Sequence, residues 1–147
     1  MRYILLFLAL IGALDSGFAL REHYRTGVAP CDINARWDCG VVNHSPYAVM
    51  GGIPVADIGI VGYLFLAFLA FRRRYRLMLG ASLLALAFSL YLAHIEASIL
   101  GVWCVYCAIS LGLICLLTIL VLGTVIFQAL RRNRTAAEVH GSNPLSS

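Results

Sequence analysis

Four apolar runs, at residues 3–20, 53–71, 77–100 and 104–130, leave this chain little choice of solvent. Each approaches or exceeds the roughly 20 residues a helix needs to cross the ~30 Å hydrocarbon layer of a bilayer. In lipid such runs become helices, because a helix satisfies every backbone N–H and C=O within its own segment. The expectation is an all-α integral membrane protein: a four-transmembrane-helix bundle with an extracytoplasmic cap built from the polar segment 21–57. Composition agrees, since 61% of the 147 residues are hydrophobic and only 12% are charged, too apolar for a water-soluble domain of this size.

The charges orient the runs. All 11 basic residues are arginine, and eight of them gather at one set of ends of the apolar runs: Arg2; Arg72, Arg73, Arg74 and Arg76; Arg131, Arg132 and Arg134. By the positive-inside rule these ends face the cytoplasm, so both termini are expected there, in an inner or plasma membrane. The segment 21–57 and the turn near Leu100 then face out, where Glu22, Asp32, Asp38, Asp57 and Glu96 outweigh Arg21, Arg25 and Arg36. No basic stripe suited to nucleic acid exists, because each cluster abuts a hydrophobic run. Residues 1–134 form the membrane domain, and the polar residues 135–147 are expected to be a disordered cytoplasmic tail. A cleaved signal peptide is the rival for the first run, although Asp15 interrupts it and a single arginine precedes it.

The polar segment is punctuated by Pro30, Pro46, Pro54 and the pair Gly51-Gly52, which suits an ordered cap with turns and a half-helix near residues 45–50. The second run must begin near residue 53 or be supplemented by this cap in order to cross. Gly59, Gly62, Gly80, Ala81 and Ala85 either let helices approach closely or merely fill space.

The five cysteines carry the chemistry. Cys104 and Cys107 stand with CxxC spacing in WCVYC, at the mouth of the fourth run, where free N–H groups and the helix dipole favour a thiolate. Cys31 and Cys39 lie in the cap, while Cys115 sits within the run and reads as a small buried hydrophobe. Two pairs on one non-cytoplasmic face suit a disulfide relay, with the cap pair on a mobile segment and the second pair fixed on a helix. Cys107 lies deeper toward the bilayer than Cys104, which suits contact with a lipid-soluble acceptor. Plainer readings stay open: a structural disulfide between Cys31 and Cys39, or a zinc site made of all four thiolates.

CDINARWDC at residues 31–39, Ser45 six residues later, SLYLA at 89–93, WCVYC fifteen residues after Ser89, and GxxxS at 12–16 together resemble the vitamin K epoxide reductase family. SPYAVMGGIP and the AHIE after Leu92 look more like its bacterial branch than its vertebrate one. The resemblance implies a four-helix bundle around a quinone, with the loop as its cap. It implies that Cys31 takes electrons from a thioredoxin-like partner, Cys39 relays them to Cys104, and Cys107 passes them to the quinone, ubiquinone or menaquinone. Ser45 matches a serine at the mouth of the quinone pocket. With no thioredoxin-like domain following the fourth run, the partner is expected in trans.

Vertebrate members place an asparagine and a tyrosine on the quinone ring where this sequence offers Val55 and Leu111, which weighs against epoxide reduction. The alternatives to a quinone-dependent thiol oxidase are therefore vitamin K epoxide or quinone reduction proper, and a non-catalytic zinc-binding or disulfide-stapled membrane protein. The other four-span quinone-linked disulfide oxidase family carries its two pairs in the reverse order. Tyr63, Tyr91, Phe65, Phe68 and Phe88 either wall a quinone pocket or simply pack, and no resident metal is expected. Asp15 either is a functional group, because a carboxylate in lipid is costly, or sits near the outer interface; His94 and Glu96 read as solvated interfacial groups, the alternative being a conduit for the proton that quinone reduction needs.

Overall fold

The computed structural model describes residues 1–28 and 30–141, from 136 onward by backbone alone. Its frame is four apolar helices: α1 (Arg2–His23), α3 (Val55–Phe71), α4 (Tyr75–Ile95) and α5 (Val105–Gly141), with a short α2 (Cys39–Asn43) inside the polar segment. α1 packs on α3, α3 on α4, α4 on α5, and α5 back on α1, which closes a four-membered ring. Large apolar side chains also point away from the ring, among them Phe7, Val61 and Ile119. Such an apolar exterior suits lipid.

α1, α5 and the continuous helix Tyr75–Leu100 are long and apolar enough to cross a membrane. α3 is shorter, with 17 residues, or about 25 Å of axial rise. Its start is displaced from the expected residue 53 because Ile53 precedes Pro54 and is held extended. Ile53–Pro54 instead forms strand β2, paired with β1 (Val49–Met50). Gly51 and Gly52, at φ +60° and +85°, supply the two left-handed residues that a tight hairpin turn requires.

The cap is ordered, but its helix falls earlier than residues 45–50. Asp38 provides the reason: its carboxylate accepts the Val41 N–H at 2.9 Å and starts α2 at Cys39. A 3₁₀ turn at Pro46–Ala48 follows.

Small residues set how closely α1 meets α3. A side chain at Gly12 would collide with the Tyr63 ring, and one at Gly59 would meet Ser16 Oγ at 2.7 Å. Gly62 and Gly80 face open space, so only part of the small-residue pattern serves packing. Below this contact Leu5, Leu66, Met78, Ile114, Leu117 and Val121 fill the centre of the ring. The arginines ring that end, with the guanidinium of Arg2 5.9 Å from the Phe71 ring, Arg72 5.8 Å from Phe68 and Arg131 5.6 Å from Phe127. Long cationic side chains held over apolar rings in this way suit a membrane boundary.

α5 continues through Gly141, so residues 135–141 are helical where a disordered tail is expected. Ala136, Ala137 and Glu138 are good helix formers and favour this continuation. Residues 142–147 of that tail lie outside the described residues.

Candidate functional site

The site begins where the cap touches the start of α5. The Trp103 N–H donates to Arg36 O at 2.8 Å and the Asp38 N–H to Trp103 O at 3.1 Å. This parallel bridge between Trp37 and Trp103 is backed by their rings, 6.5 Å apart. It fixes the residues that follow each tryptophan, bringing Cys39 and Cys104 into one buried cluster with Cys31 and Val42.

Cys31 and Cys39 are joined as a disulfide, whereas Cys104, Cys107 and Cys115 are free. Asp32 Oδ1 and the Asp38 carboxylate hold the backbone around Cys39, the first by accepting the Gly40 N–H at 3.1 Å. A side chain at Gly40 would press on both acids at 3.3 Å. α1 anchors the cap from the other side. His23 Nδ1 lies 2.6 Å from Asn43 O, and the rings of His23 and His44 stack.

Two buried polar residues hold Cys104, and one of them, Asn43, also reaches the cap pair. Asn43, buried in α2, donates through Nδ2 to Cys39 O at 2.9 Å and lies 3.7 Å from Cys104 Sγ. Glu96, only 3% exposed, accepts the Cys104 N–H at 3.0 Å. Its position depends on the π turn (Glu96–Leu100) that extends α4 and ends at Gly101, whose φ of +67° favours glycine. A carboxylate here complements the N-terminus of α5. The Cys107 side chain hydrogen-bonds Cys104 and lowers its thiol below the ordinary value, against burial, which pushes it up.

Behind this cluster lies a cavity of about 350 Å³, lined from all four large helices and from the cap. Its walls are mainly apolar, with Cys107, Ser45, Tyr63, Ser110, Asp15 and Glu96 among the polar lining. Cys107 is the one cysteine of the four that reaches it. Ser45 is buried and its hydroxyl donates to Val42 O at 2.8 Å, which leaves its lone pairs free to accept. The Tyr63 hydroxyl lies 2.9 Å from both Ser110 O and Ser110 Oγ.

Tyr91 does not belong to this wall. It is 54% exposed, while Phe88, Ser89, Leu92 and Glu96 give α4 its inner face. Tyr91 stands two residues from Ser89, about 200° around the helix, and so points outward. Phe65 and Phe68 are exposed as well, leaving Phe88 and Tyr63 as the aromatic residues of that group at the cavity. Val55 lines the cavity, whereas Leu111 packs against the bundle core.

Glu96 is buried rather than solvated, because the π turn folds it back under Cys104. His94 is exposed and hydrogen-bonds Ser98. Asn43, Ser110 and His23 carry no local sequence signal; their roles come from helix crossings and from the cap's fold. Asp38 is legible afterwards as the N-cap of a short DCGVVN helix. Among the described residues no group of three or more His, Cys, Asp or Glu is placed to hold a metal ion. The Cys31–Cys39 disulfide withdraws two of the four thiolates that a zinc site would need.

A disulfide-bearing cap held against a CxxC pair, at one end of an apolar helical bundle, marks a membrane oxidoreductase that works through paired cysteines. Its family follows from comparison with family models: residues 3–122 match that of the vitamin K epoxide reductase family, and the chain belongs to it. No curated protein matched the chain. Membership associates this bundle with quinone-linked disulfide redox chemistry in a membrane.

Proposed function

We propose that the chain is a quinone-dependent thiol:disulfide oxidoreductase that reoxidises a thioredoxin-like dithiol protein outside the cytoplasm. The observation that carries this reading is the division among four cysteines: Cys31, Cys39 and Cys104 meet in one buried cluster, and Cys107 alone lines the cavity. In this reading the cap pair meets a protein, Cys104 exchanges with the cap, and Cys107 meets a hydrophobic ligand. The charge pattern supports four spans, with α3 supplemented by the cap, arginine ends in the cytoplasm and the cysteines on the opposite side.

A quinone fits the cavity, which has the size of a small-ligand site, apolar walls for a ring and a few polar groups for its oxygens. When bound, it supplies an acceptor for two electrons and two protons. Ser45, Tyr63 and Cys107 are the residues proposed to hold it.

The partner's thiolate attacks the Cys31–Cys39 disulfide at Cys31, the less buried sulfur, and the partner leaves oxidised. Cys39 thiolate then attacks a Cys104–Cys107 disulfide at Cys104, releasing Cys107 as a thiol at the cavity. Cys31 next attacks Cys39, which restores the cap disulfide and frees Cys104. Asn43 steadies the Cys104 sulfur throughout, and Glu96 fixes its backbone. The apolar wall at Val55, and a Leu111 turned to the core, give epoxide reduction no support.

The test uses protein in lipid nanodiscs, a reduced thioredoxin-like donor and a short-chain quinone. Cys107→Ala is expected to abolish quinol formation while the Cys31–Cys39 disulfide still exchanges with the donor. Quinol formed by Cys107→Ala or Cys104→Ala at the parental rate contradicts the reading.

A further inference from the structure

Asp15 has no part in the relay, yet it is the most anomalous group in the bundle. It lies in the middle of α1, is 8% exposed, and its Oδ2 is buried without a hydrogen-bond partner. Glu22 also carries an orphaned oxygen, but it bonds Arg25 through its other oxygen at 3.3 Å and does not line the cavity. Asp15 does line it, together with Ser16, Ala19 and His23 on the same helix face. A buried carboxyl without partners destabilises a fold, so its retention points to a ligand or to a reaction.

Its surroundings indicate which. Tyr63 from α3, and Tyr106 and Ser110 from α5, line the same cavity as Asp15. Tyr63 and Ser110 are hydrogen-bonded to each other. Ser110 lies three residues beyond Cys107 on α5, about 4.5 Å deeper along the axis. Cys107 therefore meets a ring at the cap side of the cavity, and the Asp15 region meets it farther in.

We propose that Asp15 is a catalytic proton donor to the quinone oxygen remote from Cys107. This rests on the quinone reading above. Cys104 and Cys107 give up two electrons and two S–H protons and close an S–S bond, and both electrons end on the quinone. The oxygen near Cys107 receives the Cys107 proton, and the remote oxygen receives the Asp15 proton. The Cys104 proton is released to solvent. Asp15 regains a proton from solvent when quinol leaves, along the face that runs through Ala19 to His23 at the cap.

The experiment mixes pre-reduced protein in nanodiscs with a short-chain quinone in a stopped flow and follows a single turnover. Asp15→Asn is expected to slow quinol formation about 100-fold, the lower end for loss of a general acid, with quinone affinity changed less than about threefold. The thermal midpoint of quinone-free Asp15→Asn and Asp15→Leu is expected to equal or exceed the parent's, because an unpartnered carboxyl is removed. A parental single-turnover rate in Asp15→Asn overturns the proposal. So does a lowered midpoint in both variants with affinity reduced and rate unchanged, which makes Asp15 structural. Cys107→Ala run alongside separates the two readings. If it is inactive while Asp15→Asn is not, only the Asp15 assignment falls; if it too forms quinol, the electron path itself is wrong.

Discussion

The two ends of the bundle are built from the same four helices and treat buried polar groups in opposite ways. At the arginine end Ser82 and Thr118 are buried, but each hydroxyl bonds a carbonyl of its own helix, Leu79 O at 3.0 Å and Ile114 O at 2.7 Å. The Thr118 hydroxyl also reaches Ser82 O on α4 at 3.4 Å, and the centre closes over Leu5, Met78 and Leu117. At the cap end the polar groups reach across elements, Asn43 to Cys104, Glu96 to Cys104 and Tyr63 to Ser110, or reach nothing, as with Asp15. The helices stay apart there and leave a cavity. Packing strength sits at one end and chemistry at the other, with the Gly12–Tyr63 contact at the border.

The largest effect that would sharpen this contrast is Cys104→Ala or Cys39→Ala. Either is expected to take donor-dependent quinol formation to background while leaving the thermal midpoint within a few degrees, since neither touches the arginine-end core. A large midpoint loss in Cys104→Ala would mean that the cap cluster is also a principal source of stability. Leu117→Ala is the mirror experiment. Its side chain is fully buried, and truncation is expected to cost about 2–5 kcal/mol in stability with little change in the quinone KM. A changed KM would show that the two ends are mechanically coupled.

How much of this was open to sequence reasoning follows the same division. The arginine end is legible because hydropathy and charge act over whole helices, and periodicity averages over single residues. The two cysteine pairs of the candidate site are legible because spacing and segment polarity place them. The cavity is not. Which face of α4 points inward depends on packing against α5 and α3, so Tyr91 and Ser89 cannot be told apart by composition, and Tyr91 turns out exposed. Glu96 looks like an interfacial acid until the π turn shifts its register and buries it under Cys104. The cap helix, by contrast, was within reach: Asp38 before a short apolar run is an N-cap pattern.

Asn43 bears on whether the cap end works as one unit. Asn43→Ala removes the hydrogen bonds to Cys39 O and Cys104 Sγ, together worth about 1–2 kcal/mol. Transfer between the cap pair and the helix pair is expected to slow roughly 10-fold, since ~1.4 kcal/mol is a factor of ten. Reduction of the Cys104–Cys107 disulfide by a small dithiol that bypasses the cap should be unchanged. Equal slowing of both routes would place the role of Asn43 in general packing.

The smallest expected effect concerns the asymmetry within the CxxC pair. The Cys107 side chain is the main cause of the lowered thiol of Cys104, while burial and the charge of Glu96 act against it. A depressed thiol ionises at lower pH, so the rate at which Cys104 forms a mixed disulfide with a small disulfide reagent rises at lower pH than for an ordinary cysteine. In a background with Cys31 and Cys39 replaced by alanine, Cys107→Ala removes the donor and is expected to move that rise to higher pH. Cys107→Ser keeps a hydroxyl donor and should move it less. Glu96→Gln removes the opposing charge and should move it the other way, provided the Cys104 N–H keeps its acceptor. If Cys107→Ala and Cys107→Ser shift the profile equally, the sulfur of Cys107 acts on Cys104 by bulk alone, and the difference between the outward-facing and cavity-facing cysteines does not arise from their hydrogen bond.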